Sequence, residues 1–225
     1  MKADQIPEAL LTLYLRLNGY FTTGLVVHSS QRGQNRAEID CLAIRHPFHD
    51  QMERGVESHS FLSTSDQLAD LLLCEVKTSL AGLRFNDALR NDVEVVRTAL
   101  RWSGLLPPTD VVRAADALLP LLQDRVTTQE GRSGVVIAAV RVRALLCCPS
   151  SSTEPKVDRW FLNGTELLGY VHRCLNPRTP RPSCSPRYSY ELWGDQLEPL
   201  VRYFKELAAD AEPTFHDVVR RVGAA

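Results

Sequence analysis

The chain has 225 residues, of which 44% are hydrophobic and 24% are charged. These proportions are typical of a globular domain and exclude a disordered tail, a collagen-like fibre and a coiled coil. No apolar run approaches the roughly 20 residues of a membrane helix, and the N-terminal sequence lacks the apolar stretch of a secretory signal. We therefore expect a cytoplasmic protein with no membrane partner.

The formal net charge is −1, from 26 basic and 27 acidic residues. A balance so close to zero gives no general attraction to polyanions, so any nucleic-acid site must be local. Acidic residues concentrate between Glu38 and Asp70, and basic residues between Arg132 and Arg187. An acidic pocket beside a basic surface would suit metal-assisted chemistry on phosphates, but ordinary mixing of surface charges explains the distribution equally well.

The N-terminal part of the sequence predicts a helix followed by a hairpin. Apolar residues recur at helical spacing over 6–17, and Asn18-Gly19 is a typical helix end. Residues 20–29 and 37–45 are rich in β-branched and apolar side chains, and a polar, glycine-containing turn separates them. This pattern favours two antiparallel strands.

The next part predicts a long loop, a strand and a helix. Residues 46–67 are polar and without periodicity, so we expect a mobile loop with little to bury that shapes access to the site. Residues 70–78 are nearly continuous in apolar side chains and predict a third strand. Residues 86–102 have one apolar face, which indicates a helix closed by Gly104.

The C-terminal half predicts one more strand among helices. A helix over 110–125 is expected to be bent or interrupted at Pro120, and 134–148 is expected to form one long central strand. Further helices are expected over 165–175, 191–208 and 214–222, with a Pro/Arg/Ser loop over 176–187. No composition break marks a linker, so residues 1–225 are predicted to form a single α/β domain with a mixed sheet.

Charged residues occur near the ends of the second and third predicted strands. Because side chains alternate along a strand, Glu75 and Lys77 share one face, and Glu38 and Asp40 share one face of the neighbouring strand. An acid and a lysine in an apolar strand are costly to desolvate unless they are paired or bound to a metal. Carboxylates from two adjacent strands can form a hard-cation site.

Asp40 on one strand and Glu75-Val76-Lys77 on the next resemble the motif of the PD-(D/E)XK nuclease superfamily, which has the restriction-endonuclease-like fold. Ile39 stands where the family name has proline. The resemblance covers about residues 4–148. It implies an α/β fold with an αβββαβ core, whose mixed central sheet is flanked by helices, and C-terminal helical additions over about 149–225.

The same resemblance implies a Mg²⁺-dependent nuclease, with Mn²⁺ able to substitute, that hydrolyses phosphodiester bonds in DNA rather than RNA. Asp40, Glu75 and the carbonyl of Val76 would bind the metal, and Glu8 would hold a metal-bound water or a second metal. Lys77 would position or deprotonate the attacking water. An endonuclease of restriction, repair or anti-phage defence would fit, with a homodimer or a regulatory protein as a compatible partner.

Several alternatives to this interpretation stay open. The tripeptide E-x-K also occurs at 154–156, in a Ser/Pro-rich stretch, so the tripeptide alone is a weak signal. A surface salt bridge on an edge strand is the alternative for Glu75-x-Lys77. Glu8 also fits a solvated helix residue. A non-catalytic nucleic-acid-binding or scaffold subunit that retains the fold is the alternative function, and a purely structural module is a third.

A polar helper residue for the site can be expected after the lysine. Some relatives use a glutamine in the following helix, and this chain has none there. Asn86, Arg90 and Asn91 are the candidates for the equivalent role, and the sequence does not choose among them.

The densest basic segment of the chain includes Arg173, Arg178, Arg181 and Arg187, separated by prolines. We expect it to contact the nucleic-acid backbone, because phosphate binding must come from a local cluster when the net charge offers none. A solvated linker is the alternative. His46 and His49 form an H-x-x-H pair without a second ligand pair, so zinc is not expected, and neither are disulfides.

Overall fold

The computed structural model describes residues 1–31, 33–50, 56–63, 67–123, 126–154, 160–177 and 189–223. These residues form six strands: β1 (Phe21–His28), β2 (Asn35–Arg45), β3 (Ala69–Val76), β4 (Val135–Ile137), β5 (Val140–Cys148) and β6 (Leu162–Asn163). They also form eight α-helices: α1 (Ile6–Leu17), α2 (Asp87–Asn91), α3 (Val93–Ser103), α4 (Pro108–Leu122), α5 (Thr128–Ser133), α6 (Gly164–Leu175), α7 (Glu198–Glu206) and α8 (Phe215–Val222).

The strands form one mixed sheet in the order β1-β2-β3-β5-β4, with β6 beside the end of β5. The β1–β2, β2–β3 and β4–β5 pairs are antiparallel, whereas β3–β5 and β5–β6 are parallel. One apolar layer packs α1, α6, α7 and α8 on one face of the sheet, and a second packs α2, α3 and α4 on the other. The predicted α/β class with a mixed sheet flanked by helices is confirmed.

Strand β3 lies in the middle of the sheet and is buried along its length up to Glu75. Leu71 and Leu73 pack in the layer with α3 and α4, and Leu72 and Cys74 pack in the layer with α1. A strand covered on both faces needs apolar side chains at successive positions. This explains why β3 reads as a continuous apolar run in the sequence.

The predicted helix over 86–102 is two helices, which corrects the sequence-based expectation. Helix α2 ends at Asn91, and the chain restarts at α3 after Asp92, whose carboxylate accepts a hydrogen bond from the backbone N–H of Glu94 at 3.1 Å. An aspartate that caps a new helix competes with continuation of the old one. Gly104 closes α3 with φ of 69°, as expected.

The predicted single strand over 134–148 is also wrong, because it is a hairpin. Strands β4 and β5 pair through a turn at Ala138 and Ala139, and Ala138 has φ of 52°. Alanine is a poor turn signal, since residues without glycine's freedom rarely adopt positive φ. Because residues 135–140 around the turn are all apolar and include no typical turn residue, nothing in them indicated that the chain reverses direction there.

Two other expectations on helices differ from the structure. Helix α4 continues through Pro120 and ends at Leu122. The expected helix over 191–208 begins instead as a 3₁₀ turn, Tyr190–Trp193, followed by the shorter α7. Helix α5 and strand β6 were not predicted at all.

Part of the long segment after β2 packs against the core, which corrects the expectation that it has little to bury. Phe61 and Leu62 are buried. His59 accepts or donates a hydrogen bond at 2.9 Å with the hydroxyl of Tyr14, and its backbone N–H donates to the side-chain oxygen of Asn18, also at 2.9 Å. The described residues 56–63 thus form a packed cover over the α1 side of the sheet.

A buried ion cluster lies beneath this cover. Arg143 of β5 is completely buried and donates hydrogen bonds to both carboxylate oxygens of Asp70 at the start of β3. The hydroxyl of Tyr20 donates to Asp70 as well, and Arg45 lies 3.9 Å from the same carboxylate. Arg143 and Asp70 therefore belong to the interior, and the expected division into an acidic pocket and a basic surface does not hold for them.

Among the described residues, no helix combines the length and apolar character needed to cross a membrane.

Candidate active site

A β-bulge in β2 determines where Asp40 lies. Thr23 pairs with Leu42 and Leu25 pairs with Ile39, so Gly24 of β1 faces two residues of β2, Asp40 and Cys41. A bulge of this kind redirects side chains and bends the strand. Ile39 accordingly packs in the layer with α3, whereas Cys41 packs in the layer with α1.

Asp40 lies where β2 and β3 separate. The register between these strands ends at the pair Cys41 and Cys74. One step beyond it, the Oδ2 atom of Asp40 accepts a hydrogen bond from the backbone N–H of Val76 at 2.7 Å. The carboxylate thus takes the place of a ladder partner and is held against the end of β3.

Glu75 lies at the same end of β3 and is only 2% exposed. Its Oε1 atom is 2.5 Å from Nζ of Lys77, and its Oε2 atom accepts a hydrogen bond from Nδ2 of Asn86 at 3.1 Å. The side chain of Lys77 is 32% exposed, and its backbone N–H donates to the carbonyl of Cys147 at 2.9 Å. Lys77 is therefore fixed to β5 by its backbone while its ammonium group reaches the surface of the site.

The electrostatics of this end of the sheet favour a cation. Burial raises the pKa of Glu75, the hydrogen bond from Lys77 lowers it, and the charge of Asp40 raises it again. Burial likewise raises the pKa of Asp40, against the lowering effects of the Val76 N–H and Lys77. Burial disfavours the charged form of both carboxylates, and the charge of Asp40 adds to this effect at Glu75, so a cation bound between them would stabilise the charged forms.

Glu8 lies on the side of α1 that faces this end of the sheet. Glu8 is exposed to solvent, yet its carboxyl is partly enclosed by protein. This partial burial, followed by the charges of Asp40, Glu38 and Asp4, raises the pKa of Glu8. Glu8 therefore experiences the field of the site, although no described contact joins it to Glu75 or Lys77.

The oxygen donors at this site suit a hard divalent cation. Two carboxylates and the carbonyl of Val76 are the type of ligand that Mg²⁺ takes in proteins, with water completing its coordination. Within the described parts of the chain, no group of three or more His, Cys, Asp or Glu side chains is arranged to hold a metal. The proposed ligand set is smaller than such a group, because it has two side chains and one backbone oxygen.

The side chain of Asn86 contacts Glu75, so Asn86 is the supporting polar residue that was expected after Lys77. It precedes α2, and its side-chain oxygen accepts a hydrogen bond from the backbone N–H of Leu89 at 2.9 Å. Arg90 instead lies 3.4 Å from Asp87. An asparagine just before a helical run is a recognisable N-cap, and this was the available sequence signal.

The predicted phosphate-binding residues Arg178, Arg181 and Arg187 lie outside the described residues. His46 and His49 are joined through a backbone hydrogen bond of 3.2 Å, with the N–H of His49 donating to the carbonyl of His46.

Comparisons of this chain with protein-family models, with curated proteins and with solved structures give no match. The interpretation of the site therefore depends on its own geometry and chemistry.

Proposed function

We propose that this chain is a Mg²⁺-dependent nuclease that hydrolyses phosphodiester bonds in DNA. The observation that carries the proposal is the meeting of Asp40 with the segment Glu75-Val76-Lys77 where β2 and β3 separate. Asp40 is bonded to the backbone of Val76, and Lys77 is bonded to Glu75. The motif residues Asp40, Glu75 and Lys77 thus form one compact group of two carboxylates and one amine.

The order of the elements supports the proposal. Helix α1 precedes the antiparallel strands β1, β2 and β3, helices follow, and β5 returns parallel to β3. This order agrees with the αβββαβ core of the restriction-endonuclease-like fold over about residues 4–148. Helices α6, α7 and α8 would then be additions to that core, packed on the α1 side.

The roles of the residues follow from their chemistry. Asp40, Glu75 and the carbonyl of Val76 would hold Mg²⁺, which polarises a phosphate oxygen and lowers the pKa of bound water. Lys77 has its ammonium group at the surface of the site, where it can donate hydrogen bonds to a scissile phosphate or to the attacking water. Glu8 adds a carboxylate from α1 whose pKa responds to the charge of Asp40, and it can orient water near Asp40.

One contact favours the alternative of a non-catalytic scaffold or nucleic-acid-binding subunit. The ion pair between Lys77 and Glu75 satisfies Glu75 without any metal. A carboxylate paired in this way is common in structural positions. Metal binding and turnover, rather than geometry, therefore separate the two functions.

The decisive experiment is incubation of the purified protein with supercoiled plasmid, linear duplex, single-stranded DNA and RNA in Mg²⁺, Mn²⁺ or EDTA. We expect DNA cleavage with either metal and none with EDTA. Glu75→Gln keeps the size of the side chain and should remove both metal binding and cleavage. Lys156→Ala, which alters the second E-x-K tripeptide of the sequence, is the matched control and should cut like wild type. If the wild-type protein neither bound Mn²⁺ nor cleaved any of these substrates, the proposal would be contradicted.

A further inference from the structure

Asn86 makes three hydrogen bonds with one side chain, and these connect three parts of the candidate site. Its Nδ2 atom donates to Oε2 of Glu75 at 3.1 Å and to the carbonyl of Glu38 at 2.8 Å. Its Oδ1 atom accepts from the backbone N–H of Leu89 at 2.9 Å. A single amide thus joins the end of β3, the bulged strand β2 and the first turn of α2.

The chemistry of these partners fixes the orientation of the amide. Both partners of Nδ2 are acceptors, and the partner of Oδ1 is a donor, so exchanging the two atoms would place oxygen against a carboxylate and a carbonyl. Both hydrogens of the amide nitrogen are used. Asn86 is therefore held in one orientation by the two elements it connects.

We propose that Asn86 is a positioning residue that orients the carboxylate of Glu75 for metal binding, an inference that rests on the proposed nuclease function. Lys77 holds one oxygen of Glu75 and Asn86 holds the other, so the plane of the carboxylate is set from both sides. The amide is neutral and leaves the charge of Glu75 available to a cation. Each carboxylate oxygen keeps a further lone pair for a ligand.

Partners of this kind affect metal affinity without touching the metal. Loss of a hydrogen bond to a ligating carboxylate typically weakens metal binding or activity by about 10- to 100-fold. The same asparagine also caps α2, and removal of a cap lowers stability on its own. A test must therefore separate the cap from the contact with Glu75.

Two substitutions make this separation. Serine is as good an N-cap as asparagine, but it is too short to reach Glu75, so Asn86→Ser removes the contact and retains the cap. Asn86→Ala removes both. Thr214→Ala is the matched control, since Thr214 caps the distant helix α8 by accepting from the N–H of Asp217 at 3.2 Å.

The measurements are the Mn²⁺ dissociation constant by isothermal titration and the melting temperature of the metal-free protein. We expect Asn86→Ser and Asn86→Ala to weaken Mn²⁺ binding equally, by about 10- to 100-fold. Asn86→Ala and Thr214→Ala should lower the melting temperature, whereas Asn86→Ser should nearly retain it, and Thr214→Ala should bind Mn²⁺ like wild type.

Unchanged Mn²⁺ affinity in Asn86→Ser, with a wild-type protein that binds the metal, would overturn this inference and leave the proposed function standing. The same holds if affinity falls only in the variant that loses the cap. A wild-type protein that binds no Mn²⁺ would overturn the proposed function, and the role of Asn86 in that site with it.

Discussion

Strand β3 carries a buried carboxylate near each end, and the partners of the two carboxylates differ in charge and exposure. Asp70 receives hydrogen bonds from Arg143 and Tyr20, with Arg45 close by, under a cover whose carbonyls at Phe61 and Leu62 accept from the same two arginines. Its partners are buried and permanently charged or closed off from water. Asp70 at this end of the strand therefore has a structural role, because buried partners satisfy its carboxylate.

Glu75 at the other end is equally buried but has different partners. It faces one lysine that is a third exposed, one neutral amide from Asn86 and, across the strand, a second carboxylate on Asp40. Burial and Asp40 both raise its pKa, so the site is stabilised by added positive charge. The comparison indicates that the exposure and charge of a buried acid's partners, rather than its burial, distinguish the proposed site at Glu75 from the structural contact at Asp70.

A large effect on activity is expected at Lys77. Replacing it by alanine should lower the rate of DNA cleavage by about 10²- to 10⁴-fold, because a lysine that positions the attacking water or, as the neutral amine, deprotonates it contributes in that range. The free energy of unfolding should fall by less than it does on removal of a fully buried cation, because Lys77 is a third exposed and Glu75 keeps its hydrogen bond from Asn86. Single-turnover cleavage and urea denaturation measure the two effects. Wild-type cutting by Lys77→Ala would show that the amine has no part in the reaction.

Arg143 should give the opposite result. Arg143→Met should cost about 3–5 kcal/mol of unfolding free energy, because it leaves the Asp70 carboxylate buried with incomplete pairing. At a temperature where it is folded, the variant should still bind Mn²⁺. Urea denaturation of Arg143→Met, Asp70→Asn and the double variant provides the check, and the double variant should be less destabilised than the sum of the two. A loss below ~1 kcal/mol would mean that this cluster does not stabilise the fold.

Acid should weaken the covered end of β3 through His59. Burial, with the charges of Arg173 and Arg132, lowers the pKa of His59 from 6.5 to about 4. The unfolded chain therefore binds a proton more readily, so stability is complete above pH 6.5 and falls as the pH drops towards 4. The slope should stay below ~1.4 kcal/mol per pH unit, since a single proton cannot contribute more than this.

His59→Gln, which can still bond to Tyr14, removes this proton and should flatten the stability curve between pH 6.5 and 4. Chemical denaturation across that range provides the measurement. Equal slopes in the two proteins would assign the acid sensitivity to other groups.

Glu8 should give the smallest effect. Glu8→Gln should reduce cleavage by less than about tenfold, because the side chain is exposed and acts on the site through its charge or through a water molecule. Glu75→Gln, measured in the same assay, should lose far more. If Glu8→Gln lost as much, with an unchanged circular dichroism spectrum, Glu8 would have to be a direct ligand.

The sequence predicted the elements that carry a strong periodic pattern. Helix α1, the antiparallel strands β1 to β3 and the capped helix α8 follow directly from apolar spacing and cap residues. The meeting of Asp40 with Glu75 was anticipated from strand order and a family resemblance. The bulge that redirects Asp40 had only Gly24 on the neighbouring strand as a signal.

What could not be predicted depended on tertiary contacts. Arg143 and Asp70 looked like surface charges, since pairing between strands far apart in sequence cannot be read from either strand. The turn at Ala138 has no turn residue, and Phe61 and Leu62 lie in a polar segment whose packing comes from the core beneath it. In each case long-range packing outweighed the local pattern.

The parallel pairing of β3 with β5 has a consequence for synthesis of the chain on the ribosome. Four helices and β4 separate these strands in sequence, so β3 emerges long before its partner. Until then it presents an unpaired edge between two apolar faces, which is a template for aggregation. The N–H of Lys77 also lacks its acceptor on Cys147 during that interval. A nascent chain that ends before β5 thus holds every acid of the site without a fixed lysine, and the completed centre exists only after the second half of the sheet has been made.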